Sequence, residues 1–135
     1  MANTTKKTDP KKAVKKKSKS LVHSGNIYVQ SSFNNTIISI TDEKGGVISW
    51  ASAGSLGFKG AKKSTPYAAQ LATAQAIDKA KARGFSKANI FVSGVGSGRD
   101  SAVRALTNSN IEVNIIKDTT PIAHNGCRAK KPRRV

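Results

Sequence analysis

From residue 22 onward, apolar and polar positions fall into short runs punctuated by turn residues. Residues 25–30 (G-N-I-Y-V-Q) predict a strand, closed by Ser31-Ser32 and by Phe33-Asn34-Asn35. Residues 36–41 (T-I-I-S-I-T) are β-branched and apolar, and predict a second strand. Residues 42–46 (D-E-K-G-G) supply a turn, and residues 47–51 (V-I-S-W-A) predict a third strand. Two apolar runs joined by a short glycine-containing loop signal a hairpin, so the opening predicts an antiparallel meander.

The pattern then shifts to a helical period. Residues 53–63 hold three glycines and three lysines and read as a loop. They lead into Ser64-Thr65-Pro66, a hydroxyl cap followed by proline at the first helical position. The predicted helix runs to Arg83, with Gly84 as its stop. Ala68, Ala72, Ala76 and Ala80 recur every fourth residue, flanked by Leu71 and Ile77, and form a smooth buried ridge that lets the helix lie close on a sheet. Residues 88–93 (A-N-I-F-V-S) predict a buried strand, and G-V-G-S-G-R follows at 94–99. Residues 100–108 predict a short second helix with Ala102, Val103 and Leu106 facing inward, and residues 111–117 a last strand, ended by Thr119-Thr120-Pro121. The β-β-β-α-β-α-β order combines an antiparallel opening with parallel crossovers, which predicts a single α/β domain with one mixed sheet and packed helices.

The two ends lack this periodicity. Residues 1–20 carry only Ala and Val as small apolar residues besides the first Met, so they cannot offset the entropy of ordering and predict a disordered segment or an arm that orders on binding. The last fifteen residues hold two prolines, the Asn125-Gly126 pair and five Lys/Arg with no acidic residue. The chain therefore divides into a basic arm (1–21), an α/β domain (22–120) and a basic C-terminal extension (121–135).

Charge gives this division a meaning. The chain carries 24 Lys/Arg against 7 Asp/Glu, a net +17. Residues 1–23 contribute +7 from eight Lys and one Asp; residues 117–135 contribute +5 from six Lys/Arg and one Asp. Self-repulsion of this size calls for a polyanion, and nucleic acid is the usual one. A membrane surface fits poorly, because no apolar run approaches the ~18 residues of a spanning helix and the basic segments have no apolar face. The lysine run at the start has no apolar segment behind it, so it does not read as a signal peptide. A single cysteine excludes an internal disulfide and fits a reducing compartment, so the expected location is cytoplasmic.

Candidate catalytic chemistry is thin. The turn at 94–99 sits where backbone N–H groups gather anions, between a strand and a helix. It is neither nucleotide fingerprint: Arg99 stands where G-x-G-x-x-G needs its third glycine, and no G-K-[ST] occurs. Its glycines either admit a backbone phosphate beside Arg99 or serve only the turn. His124 and Cys127 are two ligands, too few for zinc, and no cofactor or metal is expected. Asp42, Glu43, Asp78, Asp100 and Glu112 invite a nuclease reading, but the central strands 27–30, 36–41 and 90–93 carry no carboxylate for metal ions. An enzyme is not expected. Phosphate recognition remains, at the lysine loop 57–63, at the 94–99 turn and along the tail. Aromatic residues make up only 5% of the chain, so affinity should come from phosphate contacts and the shape of folded RNA rather than base stacking.

These residues also carry a resemblance. S-F-N-N-T-I-I-S-I-T-D at 32–42, W-A-S-A-G-S-L-G-F-K-G-A-K-K-S-T-P-Y-A-A-Q at 50–70, G-R-D-S-A-V-R-A-L at 98–106 and D-T-T-P-I-A-H-N-G-C-R at 118–128 closely resemble the universal small-subunit ribosomal protein family numbered eleven, in its bacterial or organellar form. The resemblance spans most of residues 25–135 and leaves out the arm. It implies a ribonuclease H-like sheet and a structural role in translation, on the platform of the small subunit. There the protein would bridge helices of ribosomal RNA and border the cleft for the messenger's Shine–Dalgarno duplex. It implies protein neighbours of families seven and eighteen, contact with messenger RNA and initiation factor three, and a place in ribosomes of the cytoplasm or of an organelle's matrix or stroma. By motif position it implies RNA contacts at Asn34, Asn35, Lys59, Lys62, Lys63, Arg99, His124, Asn125, Arg128, Lys130, Lys131, Arg133 and Arg134. Two stretches depart from the family pattern: Val95 stands where proline is usual, and the tail reads R-A-K-K-P-R-R-V in place of R-P-P-K-R-R-R-V.

Overall fold

The structure, a computed structural model, describes residues 20–134. The expected arm therefore lies, apart from Ser20 and Leu21, outside the described residues. The elements run β1 (Ser24–Ser31), β2 (Thr36–Asp42), β3 (Val47–Ser52), a 3-10 turn (Gly60–Ser64), α1 (Pro66–Lys81), β4 (Lys87–Gly94), α2 (Gly98–Thr107) and β5 (Glu112–Asp118). Their order is the one expected from the sequence. The five strands form one sheet in the order β3-β2-β1-β4-β5. The meander is antiparallel, while β1–β4 and β4–β5 pair in parallel, as a mixed ribonuclease H-like sheet requires.

Both crossovers, β3–α1–β4 and β4–α2–β5, step the same way along the sheet, so right-handed connections place both helices on one face. Ile27, Val29, Ile38, Ile40, Ile90 and Val92 point to that face and meet Ala72, Ala76, Ile77, Ala102 and Leu106 in one core cluster. The alanine ridge is as expected: Ala68, Ala72, Ala76 and Ala80 are fully buried. So close an approach leaves room for polar groups only where they are satisfied. Ser49 donates to the Ala76 carbonyl at 2.8 Å, and buried Thr73 donates to Ala69 O at 2.8 Å.

Several details differ from the sequence reading. Leu71, expected beside the ridge, is 37% exposed, because the buried stripe widens from the ridge through Ala69, Thr73 and Ile77, on the side away from Leu71. β4, expected as a fully buried strand, alternates instead: Ala88, Ile90 and Val92 are buried, whereas Asn89, Phe91 and Ser93 are half-buried. The reason is the one-sided helix layer, which leaves the other sheet face open. α1 ends at Lys81 rather than Arg83; Ala82 caps it, and Gly84, at φ +80°, lies in the turn that follows. α2 begins two residues before the expected Asp100, at Gly98.

Candidate nucleic-acid interface

Parallel pairing of β1 with β4, and of β4 with β5, puts the C-terminal ends of three strands side by side. The Ser32–Asn35 turn, the Gly94–Ser97 turn and the C-terminal extension therefore leave the sheet at the same end. The first is tightened by Ser32, whose N–H donates to Asn35 O at 2.9 Å while its hydroxyl accepts the Asn35 N–H at 3.1 Å. Asn34 is exposed there; Asn35 is half-buried, and its Oδ1 is buried without a hydrogen-bond partner.

The lysine loop joins the same end through one bond. Ser97 Oγ, just before α2, donates to Ser64 O at 2.6 Å at the close of the 3-10 turn. Thr65 then caps α1 by accepting the Ala68 N–H at 3.3 Å, with Pro66 behind it as the sequence predicts. Lys59 and Lys62 are exposed and Lys63 is half-buried, all ahead of the positive end of a helix. The exposed Tyr67 ring meets Phe58 edge-on at 6.3 Å, which fixes the lysine loop against the first turn of α1.

The glycines of the 94–98 turn face inward. A Cβ on Gly94 or Gly96 would strike the carbonyl of Ser31 or Ser32, and one on Gly98 would strike Thr36 Oγ1 and stand 2.8 Å from Ala69 Cβ. Of the two readings the sequence left open, the close approach these glycines permit is thus to the protein's own chain. Gly94 adopts φ +97°, a region that favours glycine.

Arg99 is engaged on the protein side. Its Nη1 donates to Gly94 O at 3.0 Å and to Thr120 Oγ1 at 3.2 Å, and its Nη2 to Asp118 Oδ2 at 2.5 Å. Asp118 Oδ1 accepts both the Thr120 N–H, at 2.9 Å, and the Thr120 hydroxyl, at 2.6 Å. The Arg99 guanidinium, followed by the two Thr120 donors, holds the Asp118 carboxyl well below the usual carboxylate range, and Asp118 in turn raises the Arg99 pKa. With the Arg99 side chain 29% exposed, this cluster fixes where the extension leaves the sheet. The sequence showed neither the role of Asp118 and Thr120 in anchoring the extension nor that of Ser64 and Ser97 in joining the loop to α2. The D-T-T-P block at 118–121 is the one signal for the first two; the Ser64–Ser97 contact has none in the sequence.

Beyond Thr120, residues 121–134 are exposed and form no helix or strand. His124, Asn125, Arg128, Lys130, Lys131, Arg133 and Arg134 thus project from the anchored point on an irregular basic segment, with Asn125 at φ +57°. The carboxylates are dispersed. Asp42 accepts the Gly46 N–H at 2.6 Å, Glu43 accepts from Ser24, Glu112 pairs with Lys87 at 3.1 Å, Asp78 is exposed on α1, and Asp100 lies in the first turn of α2. Among the described residues, no three His, Cys, Asp or Glu side chains gather where a metal ion could be held, and no helix is long and apolar enough to cross a membrane. What the arrangement offers chemically is a set of cations at one end of a rigid sheet, suited to phosphates.

Comparison with known proteins points the same way. The family described as ribosomal protein S11 matches residues 25–134. The chain is similar to the small ribosomal subunit protein uS11 of Solibacter usitatus (strain Ellin6076), with 55% identity over 135 residues and the whole of both chains covered. It is 54% identical to the small ribosomal subunit protein uS11 of Synechococcus elongatus, again over the full length of both.

Proposed function

The chain belongs to the ribosomal protein S11 family, and on that premise we propose that it is a structural, non-enzymatic constituent of the small ribosomal subunit that binds and bridges helices of small-subunit ribosomal RNA. The observation that carries the RNA-binding part is the convergence of the lysine loop, the 94–99 turn and the basic extension at one sheet end. Ser97–Ser64 brings in the lysine loop, and the Arg99–Asp118–Thr120 cluster anchors the tail. Segments that leave a rigid platform in different directions can hold two RNA helices at a fixed spacing, which charge alone could not do.

In this reading Lys59, Lys62 and Lys63 contact phosphates of one helix. The extension, through His124, Asn125, Arg128, Lys130, Lys131, Arg133 and Arg134, follows another. Asn34 and Asn35 meet RNA at the β1–β2 turn, and Arg99 contributes through its exposed fraction while aiming the tail. The family's place on the platform, beside the Shine–Dalgarno cleft, is carried over with it, as are neighbours of families seven and eighteen, the messenger and initiation factor three.

The test is binding to small-subunit ribosomal RNA against random duplex at ~150 mM salt, where loose contacts are screened. Preference for the ribosomal RNA, together with co-sedimentation with small subunits through a high-salt wash, is expected. Equal affinities would overturn the reading in favour of a charge-driven nucleic-acid binder.

A further inference from the structure

The helices cover one face of the sheet and leave the other bare. Across that bare face the strand register sets a single row, one residue from each strand: Trp50, Ser39, Tyr28, Phe91 and Lys117. Trp50 is 55% and Tyr28 42% exposed. The neighbouring rows add Ile37, paired with Gln30, and Ile115, paired with Asn89; they are 38% and 49% exposed. Exposed aromatic and β-branched residues contiguous over five strands amount to more than the scattered apolar groups of an ordinary surface.

Charge and ring geometry decide what covers this face. In a chain of net +17, the row carries one cation, Lys117 at the β5 edge. Lys87, on the same face at the start of β4, is paired with Glu112 at 3.1 Å. Asn89 Nδ2 donates to Asn26 Oδ1 at 3.2 Å on the same face. Phosphates would find little here compared with the basic end of the sheet. Stacked bases would also find little. The Tyr28 and Phe91 ring centroids lie 5.2 Å apart with planes within 17° of parallel, so one face of each ring is turned to the other and is lost to a base. A base-stacking platform needs the faces. Aromatic and aliphatic anchors in a charge-poor centre are instead what the core of a protein–protein interface is made of.

We propose that the open sheet face is the docking surface for a neighbouring protein of the small subunit, one with an apolar contact centre and a carboxylate placed opposite Lys117. The proposal rests on the ribosomal reading above and adds to it which face a protein, rather than RNA, occupies.

The experiment places a photo-crosslinking benzoylphenylalanine at position 50 or at position 28 of the full chain, lets it assemble into small subunits, and identifies the adduct. Adducts to a protein are expected from both positions, with adducts to RNA from a control probe at position 124. In parallel, Trp50→Glu and Ile37→Glu alter exposed side chains. They should leave the thermal midpoint nearly unchanged and binding to isolated ribosomal RNA within about twofold of the parent, while retention in salt-washed subunits falls by about tenfold. RNA adducts from positions 50 and 28 would overturn the proposal. So would silent probes in a chain that does assemble, or full retention of both Glu variants. Absence of the parent chain from small subunits would instead overturn the ribosomal reading, and this proposal with it.

Discussion

Arg99 and Asp118, nineteen positions apart, meet at 2.5 Å and tie the first turn of α2 to the end of β5. Neither residue is part of the apolar core. Their pairing sets the direction in which residues 121–134 leave the domain, so a local ion pair acts on the placement of a basic segment.

Arg99→Lys should loosen that exit without unfolding the domain. A lysine can reach Asp118 but cannot also present the planar fork that serves Gly94 O and Thr120 Oγ1. Faster amide exchange at Gly94 and Thr120 is expected, with a thermal midpoint close to the parent, since surface pairs contribute only about 0–1 kcal/mol. Hydrogen exchange read residue by residue checks it.

The same pair predicts a pH dependence. Asp118 titrates below its ordinary 3.8, so its anchoring is fully present above about that pH and is lost as pH falls from there through the depressed value. Carboxyl carbon shifts of Asp118 should show a midpoint below 3.8 in the parent. That midpoint should return toward the ordinary value in Arg99→Gln. An unchanged midpoint would mean that Arg99 does not hold the carboxylate.

Gly98→Ala should destabilise. The added methyl meets Thr36 Oγ1 and stands 2.8 Å from Ala69 Cβ, both on fully buried residues, so neither neighbour can swing away. Overpacking of this kind costs about 1–3 kcal/mol, and a ~100-residue domain loses about 4–8 °C in Tm per kcal/mol. Calorimetry or circular dichroism against temperature measures it. Gly57→Ala provides a contrast in mechanism: nothing lies within 4 Å of its Cβ, and only its φ of +92° opposes the change.

These cases show what could be read in the sequence. The strands, the first helix and their succession along the chain were legible because β-branched runs such as 36–41 and the Thr65-Pro66 cap encode local conformation. The alanine ridge was legible because a repeat of four residues encodes a helix stripe. Leu71 and the alternation of β4 were not, because apolarity says that a residue can be buried and not whether an element arrives to cover it. Nor were the bonds of Arg99 with Asp118 and of Ser97 with Ser64, which depend on strand order and crossover. The basic residues were legible as phosphate binders by charge; their gathering at one end became visible only with the parallel pairing of β1, β4 and β5.

Leu106→Ala tests the core that this gathering depends on. Leu106 is fully buried on α2 in the cluster with Ala72 and Ile90, and removing such a side chain costs about 2–5 kcal/mol. Leu71→Ala, on the exposed side of α1, should stay within about 0.5 kcal/mol. Denaturant melts of the two variants should separate clearly in midpoint with similar slopes.

Deleting residues 128–135 should separate binding from folding. The described part of this segment is exposed, so thermal unfolding should be nearly unchanged. Five Lys/Arg are removed with it, Arg128, Lys130, Lys131, Arg133 and Arg134. Each phosphate they neutralise releases counterions, so the plot of log K against log salt should become shallower by about 0.7–0.9 for every phosphate no longer neutralised. Neutralising Lys59, Lys62 and Lys63 to Gln should shallow it independently, because those charges sit on a different loop and reach different phosphates. If the two segments hold separate RNA helices, each change alone leaves binding to one isolated helix intact and abolishes the simultaneous capture of both. Titrations with the two helices singly and together read that difference. A fold that melts early on deletion would show that the extension packs on the domain, and equal weakening toward both isolated helices would show one shared charge field instead of two separate binding sites.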